Sequence, residues 1–343
     1  MRLRIKPPFG DMAVGVVLIL TLAPLALAAP GPSGLRITQR IAGPDGGWDL
    51  VSFDPARRRL YVAHGARVTT LDVDSGKLTP AFAPGDHLHA VTPAPGTDRL
   101  VTTNSGDNSV RLLNADTGAL IASIPTAPDP DSAAFDPANG EVLVMGGHSG
   151  TVTLIDPKAA KATGTIAVGG SLEFPVVDPA GRLLVNNEDL NEIDVVDVAA
   201  RKVTARYPLA GCRGPTGLAY VAGDRLVSAC ANGVAKILDA RTGHEIVSLT
   251  IGERPDAVIY DADRAVALIP CGATGTLSVI ALAGDRNNQV IDEVPTQVGA
   301  RTGAVDPKTG RIYLPTAEYL PPAAPGQRPQ PKPGTFQILV LDR

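Results

Sequence analysis

Short apolar runs alternate with polar turns along almost the whole chain after residue 35. In the stretch RLVTTNSGDNSVRLLNADTGALIASI (99–124), three such runs are separated by polar turns that contain glycine. Runs of this length, rich in Val, Leu and Thr and bounded by Gly, Asn or Asp, are typical of β-strands. No unit of the chain sustains a helical spacing of apolar positions, so the pattern predicts an all-β protein.

The pattern repeats every 40 to 45 residues, in seven units that begin near Trp48, Leu88, Pro130, Leu172, Pro215, Pro255 and Ala300. Each unit has a first strand such as SAAFD, an Asp-Pro turn with glycine, a second strand such as RLLVNN, a third strand such as VTLID and a more polar fourth strand. An all-strand repeat of this length is the signature of a β-propeller. We therefore expect a seven-bladed β-propeller of four-stranded antiparallel blades.

The two ends of the chain predict how the ring closes. The last unit finishes at its third strand, FQILVLD (336–342), and LRITQRI (35–41) is a strand with no unit of its own. An N-terminal strand that completes the last blade would leave no unpaired edge in the ring. We expect that closure.

Several units carry a recognisable motif, in YVAHG (61–65), VTTNSGDNSV (101–110) and VNNEDLNEIDVVD (185–197). They resemble the YncE-like, YVTN-repeat family of seven-bladed propellers, whose second strand carries Y-V-T-N and whose third strand carries N-x-V-x-V-I-D before a T-G turn. The resemblance covers about residues 35–343. It implies the propeller fold and no shared catalytic set; some members of the family are thought to bind other macromolecules, including DNA.

The N-terminal segment predicts export. Arg2, Arg4 and Lys6 precede the apolar run MAVGVVLILTLAPLALA (12–28), which ends in Ala-Leu-Ala. This is the pattern of a signal peptide, residues 1–28, whose removal would leave 29–343 as a single propeller domain in the periplasm or outside the cell, without a membrane span. An uncleaved anchor is the alternative, and Pro24 and the small-residue ending argue against it.

Composition and charge exclude some partners. With 343 residues and 44% apolar content the chain can bury a large core, and aromatic residues make up 4%. Removal of residues 1–28 takes away three cations and one anion, leaving 28 Lys and Arg against 34 Asp and Glu, a net charge of −6. Binding to nucleic acid needs clustered cations, so we do not expect it. We expect a monomer that binds a protein or small molecule.

Polar residues of different units are predicted to meet at one face of the ring. In a propeller blade, the loops before the first strand and the ends of the second strand lie on the same side, around the central channel. The candidate ligand-binding residues there are Asp49, His64, His87, His89, Asp131, His148, Glu173, Asp256 and Arg301. They could coordinate a divalent cation or hold a polar ligand. Alternatively, the acids accept bonds from nearby backbone and face channel water. No cofactor is predicted.

The fragment DHLHAV (86–91) contains the residues of the chain best suited to metal binding or catalysis. His87 and His89 are two residues apart, so a strand would place both rings on one side, which suits a metal ion or a general base. No further histidine follows at ligand spacing, although His64 or His148 could reach the site from other units. The alternative is a pair of exposed loop histidines.

The three cysteines, Cys212, Cys230 and Cys271, fit an oxidising compartment. Cys212 precedes the first strand of its unit and Cys230 ends the second, so their sulfur atoms should lie on the same face. We expect the pair Cys212–Cys230, with Cys230–Cys271 as the alternative.

The segment AEYLPPAAPGQRPQPKPG (317–334) carries six prolines and interrupts the last blade. It is expected to be extended and to lie on the ligand face, as a lid, a docking arm or a tolerated loop insertion.

The sequence favours a non-catalytic binding scaffold, because no nucleophile with its base is recognisable. The alternative is a metal-assisted hydrolase or lactonase, or a lyase, with the His and carboxylate cluster at the channel mouth. A quinone-dependent dehydrogenase is disfavoured, because Trp48 is the single tryptophan and such sites usually hold the cofactor between aromatic rings.

Overall fold

Antiparallel β-strands make up the regular structure of the chain in the computed structural model, which describes residues 31–322, 324, 327 and 329–343. The predicted signal peptide, 1–28, lies outside the described residues. Within those residues, the structure contains no helix whose length and apolarity would suffice to cross a membrane.

In the described part of the chain, the strands form six sheets around one ring. β1 (Arg36–Ala42) precedes a six-stranded sheet of β2 (Val51–Asp54), β3 (Arg59–Asp72), β4 (Leu78–Ala94), β5 (Arg99–Asn104), β6 (Ser109–Asn114) and β7 (Leu120–Pro125). The next sheet contains β8 (Pro130–Asp136), β9 (Glu141–Gly146), β10 (Thr151–Asp156) and β11 (Lys161–Ala167). It is followed by the sheet of β12 (Leu172–Val177), β13 (Arg182–Asn187), β14 (Glu192–Asp197) and β15 (Lys202–Pro208).

The remaining sheets each have four strands. One contains β16 (Pro215–Val221), β17 (Arg225–Cys230), β18 (Val234–Asp239) and β19 (Glu245–Thr250). The next contains β20 (Ile259–Asp261), β21 (Val266–Cys271), β22 (Thr276–Ala281) and β23 (Gln289–Pro295). The last joins β1 to β24 (Ala304–Val305), β25 (Ile312–Thr316) and β26 (Gln337–Asp342).

The all-β, antiparallel propeller is confirmed, but the prediction of seven blades is wrong, because the strands form six sheets. The residues of the first two predicted units share one sheet. β3 turns back at Gly65, which has a φ of 60°, so that Val73 N donates to Arg58 O. β4 then pairs with both β3 and β5, and Leu88 is opposite Gly65 on one side and Asn104 on the other. Strand pairing thus continues through the corner of β3 at Gly65 and the corner of β4 at His87, and the two units form one sheet.

The predicted closure is confirmed. β1 lies antiparallel to β26, from Arg36 opposite Asp342 to Ala42 opposite Gln337, and so completes the last sheet. Ser33 anchors the start of this strand, because its hydroxyl donates to Asp292 Oδ2 at 2.6 Å in the neighbouring sheet.

The core lies between neighbouring sheets. Nearly all residues of the second and third strands are buried, as in β13, where Leu183 to Asn187 are all buried and successive side chains face the sheets on either side. In one such layer Leu268 and Val279 pack with Ile312 and Leu339, and Leu35 joins them from the N-terminal segment. Burial of apolar side chains on both faces of a sheet is what holds consecutive blades together.

Hydrogen bonds of short hydroxyl side chains link the strands around the channel. The strands β2, β4, β8, β12, β16, β20 and β24 follow one another around the ring, each in contact with the next. Five hydroxyls donate to a backbone carbonyl of the following unit: Ser52 to Val91, Thr92 to Ala133, Ser132 to Glu173, Thr216 to Pro255 and Thr302 to Asp49. These bonds fix the relative position of the loops at one end of the channel.

Candidate functional site

Six polar side chains from different units form what we call the channel mouth: Asp49, His89, Asp131, Glu173, Asp256 and Arg301. Each lies in a channel strand or in the loop that leads into one. Backbone hydrogen bonds hold Asp49 beside His89. Leu50 N donates to His89 O at 3.0 Å, and Asp49 N donates to Ala63 O at 2.9 Å.

The imidazole of His89 lies between two carboxylates. Its Nδ1 is 2.7 Å from Asp49 Oδ2 and 3.5 Å from Asp131 Oδ1. The three side chains are between 21% and 24% exposed, so they are partly shielded yet reachable from solvent. Their ligand atoms all lie within 4.8 Å of one another.

The second nitrogen of His89 is also fixed. Nε2 is 3.0 Å from Ser105 Oγ, in the turn after β5. The same hydroxyl is 2.8 Å from His87 Nδ1 and 3.2 Å from His87 O. Ser105 therefore holds the His89 ring so that Nδ1 is directed at the carboxylates.

Arg301 is the arginine of the mouth and lies on the other side of Asp49 from His89. Its Nε donates to Asp256 Oδ2 at 2.8 Å, and Nη2 donates to the backbone oxygen of Trp48 at 2.9 Å. Nη2 is also 3.4 Å from Asp49 Oδ1, so the two oxygens of Asp49 face Arg301 and His89 respectively. The guanidinium carbon lies 5.8 Å above the Trp48 ring.

Burial and crowding of like charges shift the pKa values of the mouth. Burial raises the pKa of Asp131, and the neighbouring negative charges of Asp49 and Asp256 raise it further. The pKa of Glu173 is raised by burial and by the charges of Asp131 and Asp256. Burial opposes the charged form of His89, but its hydrogen bond to Asp49 and the charge of Asp131 outweigh burial and raise its pKa. The raised pKa values favour the protonated forms of these side chains, and a cation that binds at the mouth would displace those protons.

Three predicted ligands, His64, His148 and His87, do not join this cluster. His64 is 1% exposed, its Nδ1 is 3.2 Å from Thr69 Oγ1, and its ring packs against Phe336 at a centroid distance of 4.4 Å. Burial lowers its pKa to about 4, which makes it a neutral core residue at pH 7. His148 is 86% exposed and pairs with Asp129 instead of reaching His89.

His87 lies beside the cluster without joining it. Its ring centroid is 5.1 Å from that of His89, and its backbone φ of 52° marks the corner within β4. It therefore contacts Ser105 and not the carboxylates.

The structure joins Cys212 and Cys230 in a disulfide, with a Cα–Cα distance of 5.5 Å. Cys271 is free and buried, and burial raises the pKa of its thiol to about 11. A thiol with so high a pKa is a poor nucleophile at pH 7.

The proline-rich segment 317–334 starts next to the mouth. The ring of Tyr319 is 6.2 Å from that of Trp48, and Tyr319 pairs with Pro331 in an isolated bridge. Lys332 Nζ and Glu318 Oε2, at 2.8 Å, join the two ends of the segment.

Ser105 is a site residue that the sequence did not single out. A clue to Ser105 is its place directly after Asn104 at the end of a second strand, since such ends were expected on the same face as His89.

Two cavities lie away from the mouth, beside the turns between first and second strands. One, of about 430 Å³, is bordered by Phe53, Arg57 and Asp116, and its arginine is already paired with Asp54 and Asp116. The other, of about 550 Å³, is bordered mainly by apolar side chains, including Phe174, Tyr220 and Tyr260. Neither contains a cluster comparable to the mouth, so we place the candidate site at the mouth on chemical grounds.

Comparisons with solved structures support the class of fold, a β-propeller. Kuenenia stuttgartiensis hydrazine synthase matches with a TM-score of 0.70 and 15% identity, over 80% of this chain and 92% of that one. A chain of the mitotic checkpoint complex matches with a TM-score of 0.73 and 12% identity, over 96% and 98%. U3-55K matches with a TM-score of 0.72 and 9% identity, over 90% and 99%. At such identities the likeness concerns the fold alone.

No protein-family model and no curated protein matches the chain in the comparisons.

Proposed function

We propose that the protein is a binding scaffold whose channel mouth binds a positively charged group of a ligand or partner. The observation that carries this proposal is the charge balance of the mouth. Four carboxylates from separate units, Asp49, Asp131, Glu173 and Asp256, outnumber the two basic side chains of the mouth, and both basic side chains are already paired, Arg301 with Asp256 and Asp49 and His89 with Asp49. Burial raises the pKa values of Asp131 and Glu173, and the neighbouring carboxylates raise them further.

A rigid frame supports the same proposal. The loops of the mouth are tied to neighbouring units by hydroxyl bonds such as that of Ser132 to Glu173 O, at 2.7 Å. A site whose groups are fixed before binding loses less conformational entropy when the ligand enters. Propellers commonly present binding surfaces in this way, by gathering loops from several blades around one opening.

Binding of a labelled tetralysine peptide tests the proposal. The variant Asp131→Lys places a cation in the mouth, and Asp263→Lys makes the same change in an exposed turn next to β20. We expect tetralysine to bind the unaltered protein and Asp263→Lys equally. Asp131→Lys should weaken binding by about tenfold or more, equivalent to about 1.4 kcal/mol. Absence of binding to the unaltered protein, or an equal loss in both variants, would contradict the proposal.

Metal-assisted hydrolysis is a second candidate function. It is favoured by one observation, the meeting of His89 with Asp49 and Asp131, because a bound divalent ion could activate water there. Turnover of ester or lactone substrates that disappears in His89→Ala would support it. A metal-loaded protein without turnover on these substrates would leave binding as the function.

Export and family membership are part of the proposal. The apolar run that ends at Ala28 supports a cleaved signal peptide, and the disulfide Cys212–Cys230 is compatible with an oxidising compartment. The motifs in 61–65, 101–110 and 185–197 support membership in the YncE-like, YVTN-repeat family. N-terminal sequencing of the protein from fractionated cells tests the export: we expect it to begin at Ala29 and to be found outside the cytoplasm.

A further inference from the structure

The three side chains at the centre of the mouth are of the kinds that bind transition metals. Asp49, His89 and Asp131 come from three different units and offer two carboxylate oxygens and one imidazole nitrogen within 4.8 Å of one another. Because an imidazole is included, the set differs from a patch of acidic residues. We propose that these three residues bind one divalent transition-metal ion of the zinc or manganese class.

The distances between the donor atoms are compatible with one ion. Ligands about 2.0–2.2 Å from a metal are separated from each other by about 3.0–3.5 Å. His89 Nδ1 and Asp131 Oδ1 are 3.5 Å apart, which is already near this range. His89 Nδ1 and Asp49 Oδ2 are 2.7 Å apart, in a hydrogen bond that the ion would replace with a small outward movement of either group.

Groups around the three ligands orient them. Metal-binding histidines usually donate their second nitrogen to an outer partner, which fixes the ring and the tautomer. Ser105 Oγ, 3.0 Å from His89 Nε2, can have this role and leaves Nδ1 as the donor to the metal. Arg301 lies against Asp49 Oδ1, which leaves Oδ2 on the side of His89.

The donor set also indicates the class of ion. Ca²⁺ and Mg²⁺ are bound mainly by oxygen atoms, whereas imidazole suits zinc and neighbouring transition metals. Three protein ligands leave coordination positions free for water or for a donor of the bound partner. This inference rests on the proposed function, because it names the cation that the mouth binds.

The test measures metal content and affinity without reference to catalysis. Purified protein stripped with a chelator is loaded with Zn²⁺, Mn²⁺ or Ca²⁺, desalted and analysed by mass spectrometry for metal, and affinity is measured against a chromophoric chelator. We expect one Zn²⁺ or Mn²⁺ per chain, no retained Ca²⁺, and no retained ion in His89→Ala. Ser105→Ala should weaken affinity by about tenfold through loss of ring orientation.

His148→Ala is the matched control, because His148 and Asp129 form a similar pair on the surface. It should bind Zn²⁺ like the unaltered protein, and circular dichroism should show that each variant is folded. If His89→Ala is unfolded, Asp131→Asn replaces it. Three results would overturn the proposal. The folded variant His89→Ala or Asp131→Asn retains the ion, His148→Ala loses it, or the unaltered protein binds no ion. Tetralysine binding without any metal binding would remove this inference alone, whereas failure of both would remove the proposed function as well.

Discussion

The hydroxyl of Thr302 donates to the backbone oxygen of Asp49 at 2.9 Å, although the two residues are 253 positions apart. This bond joins the last channel strand to the first and lies directly beside Arg301 and the mouth. The closure of the ring is therefore part of the construction of the site, and a change in one should affect the other.

Thr302→Val keeps the shape of the side chain and removes this bond. Because Thr302 is buried and the oxygen of Asp49 loses its donor, we expect the free energy of unfolding to fall by about 1–2 kcal/mol. Urea denaturation measures the change. Thr79→Val is the control, because the Thr79 hydroxyl has no hydrogen-bond partner among the residues that the structure describes. An equal loss of stability in both variants would contradict a special role for Thr302.

Leu35 tests the closure by β1. It is 3% exposed and packs with Ile312 and Leu339 between the last two sheets. Leu35→Ala should lower the free energy of unfolding by about 2–4 kcal/mol, through lost burial and the cavity that remains. Arg36→Ala, at the exposed neighbouring position, should change it little. Thermal or urea unfolding of both variants gives the comparison, and an unchanged Leu35→Ala would show that the segment is not docked.

The disulfide should stabilise the unit that contains it. Cys212 and Cys230 are 18 residues apart, and closure of such a loop in the unfolded chain contributes about 3 kcal/mol. The double variant Cys212→Ser and Cys230→Ser should be less stable by about that amount in urea. Reductant should destabilise the unaltered protein and leave the double variant unchanged. Three alkylated thiols in the unreduced, denatured protein would contradict the pairing.

His64 should make the protein sensitive to mild acid. Burial lowers its pKa from 6.5 to about 4, so between these values the unfolded chain binds a proton that the folded protein does not. The contribution of neutral His64 to the free energy of unfolding is therefore fully present above about pH 6.5. It decreases as the pH falls, by about 2 kcal/mol between pH 7 and pH 5. His64→Gln should remove this part of the pH dependence. Urea unfolding at both pH values measures it, and an identical slope in His64→Gln would contradict the assignment.

The fold was largely predictable because the repeat is local. Strand alternation, Asp-Pro turns and glycine recur in each unit, and Asp136 shows why: its carboxylate accepts the Ala138 N–H at 2.9 Å inside such a turn. The count of blades was not predictable in the same way. The corners at Gly65 and His87 look like ordinary loops in sequence, yet strand pairing continues through them and fuses two units.

The site was predictable only in part, because side-chain direction depends on distant residues. His89 and Asp131 meet since adjacent channel strands bring them together, as the repeat implies. His64 stands at the corresponding end of a second strand, but Phe336, from the other end of the chain, packs on its ring and keeps it in the core. Spacing along the sequence contains no information about such a contact.

The most direct test of a cation site built from separate units is an anomalous difference map of crystals grown with Zn²⁺, recorded at the zinc absorption edge. We expect a peak about 2.0–2.2 Å from His89 Nδ1 and from a carboxylate oxygen of Asp49 and of Asp131. A peak at His148 and Asp129 with none at the channel mouth would contradict it.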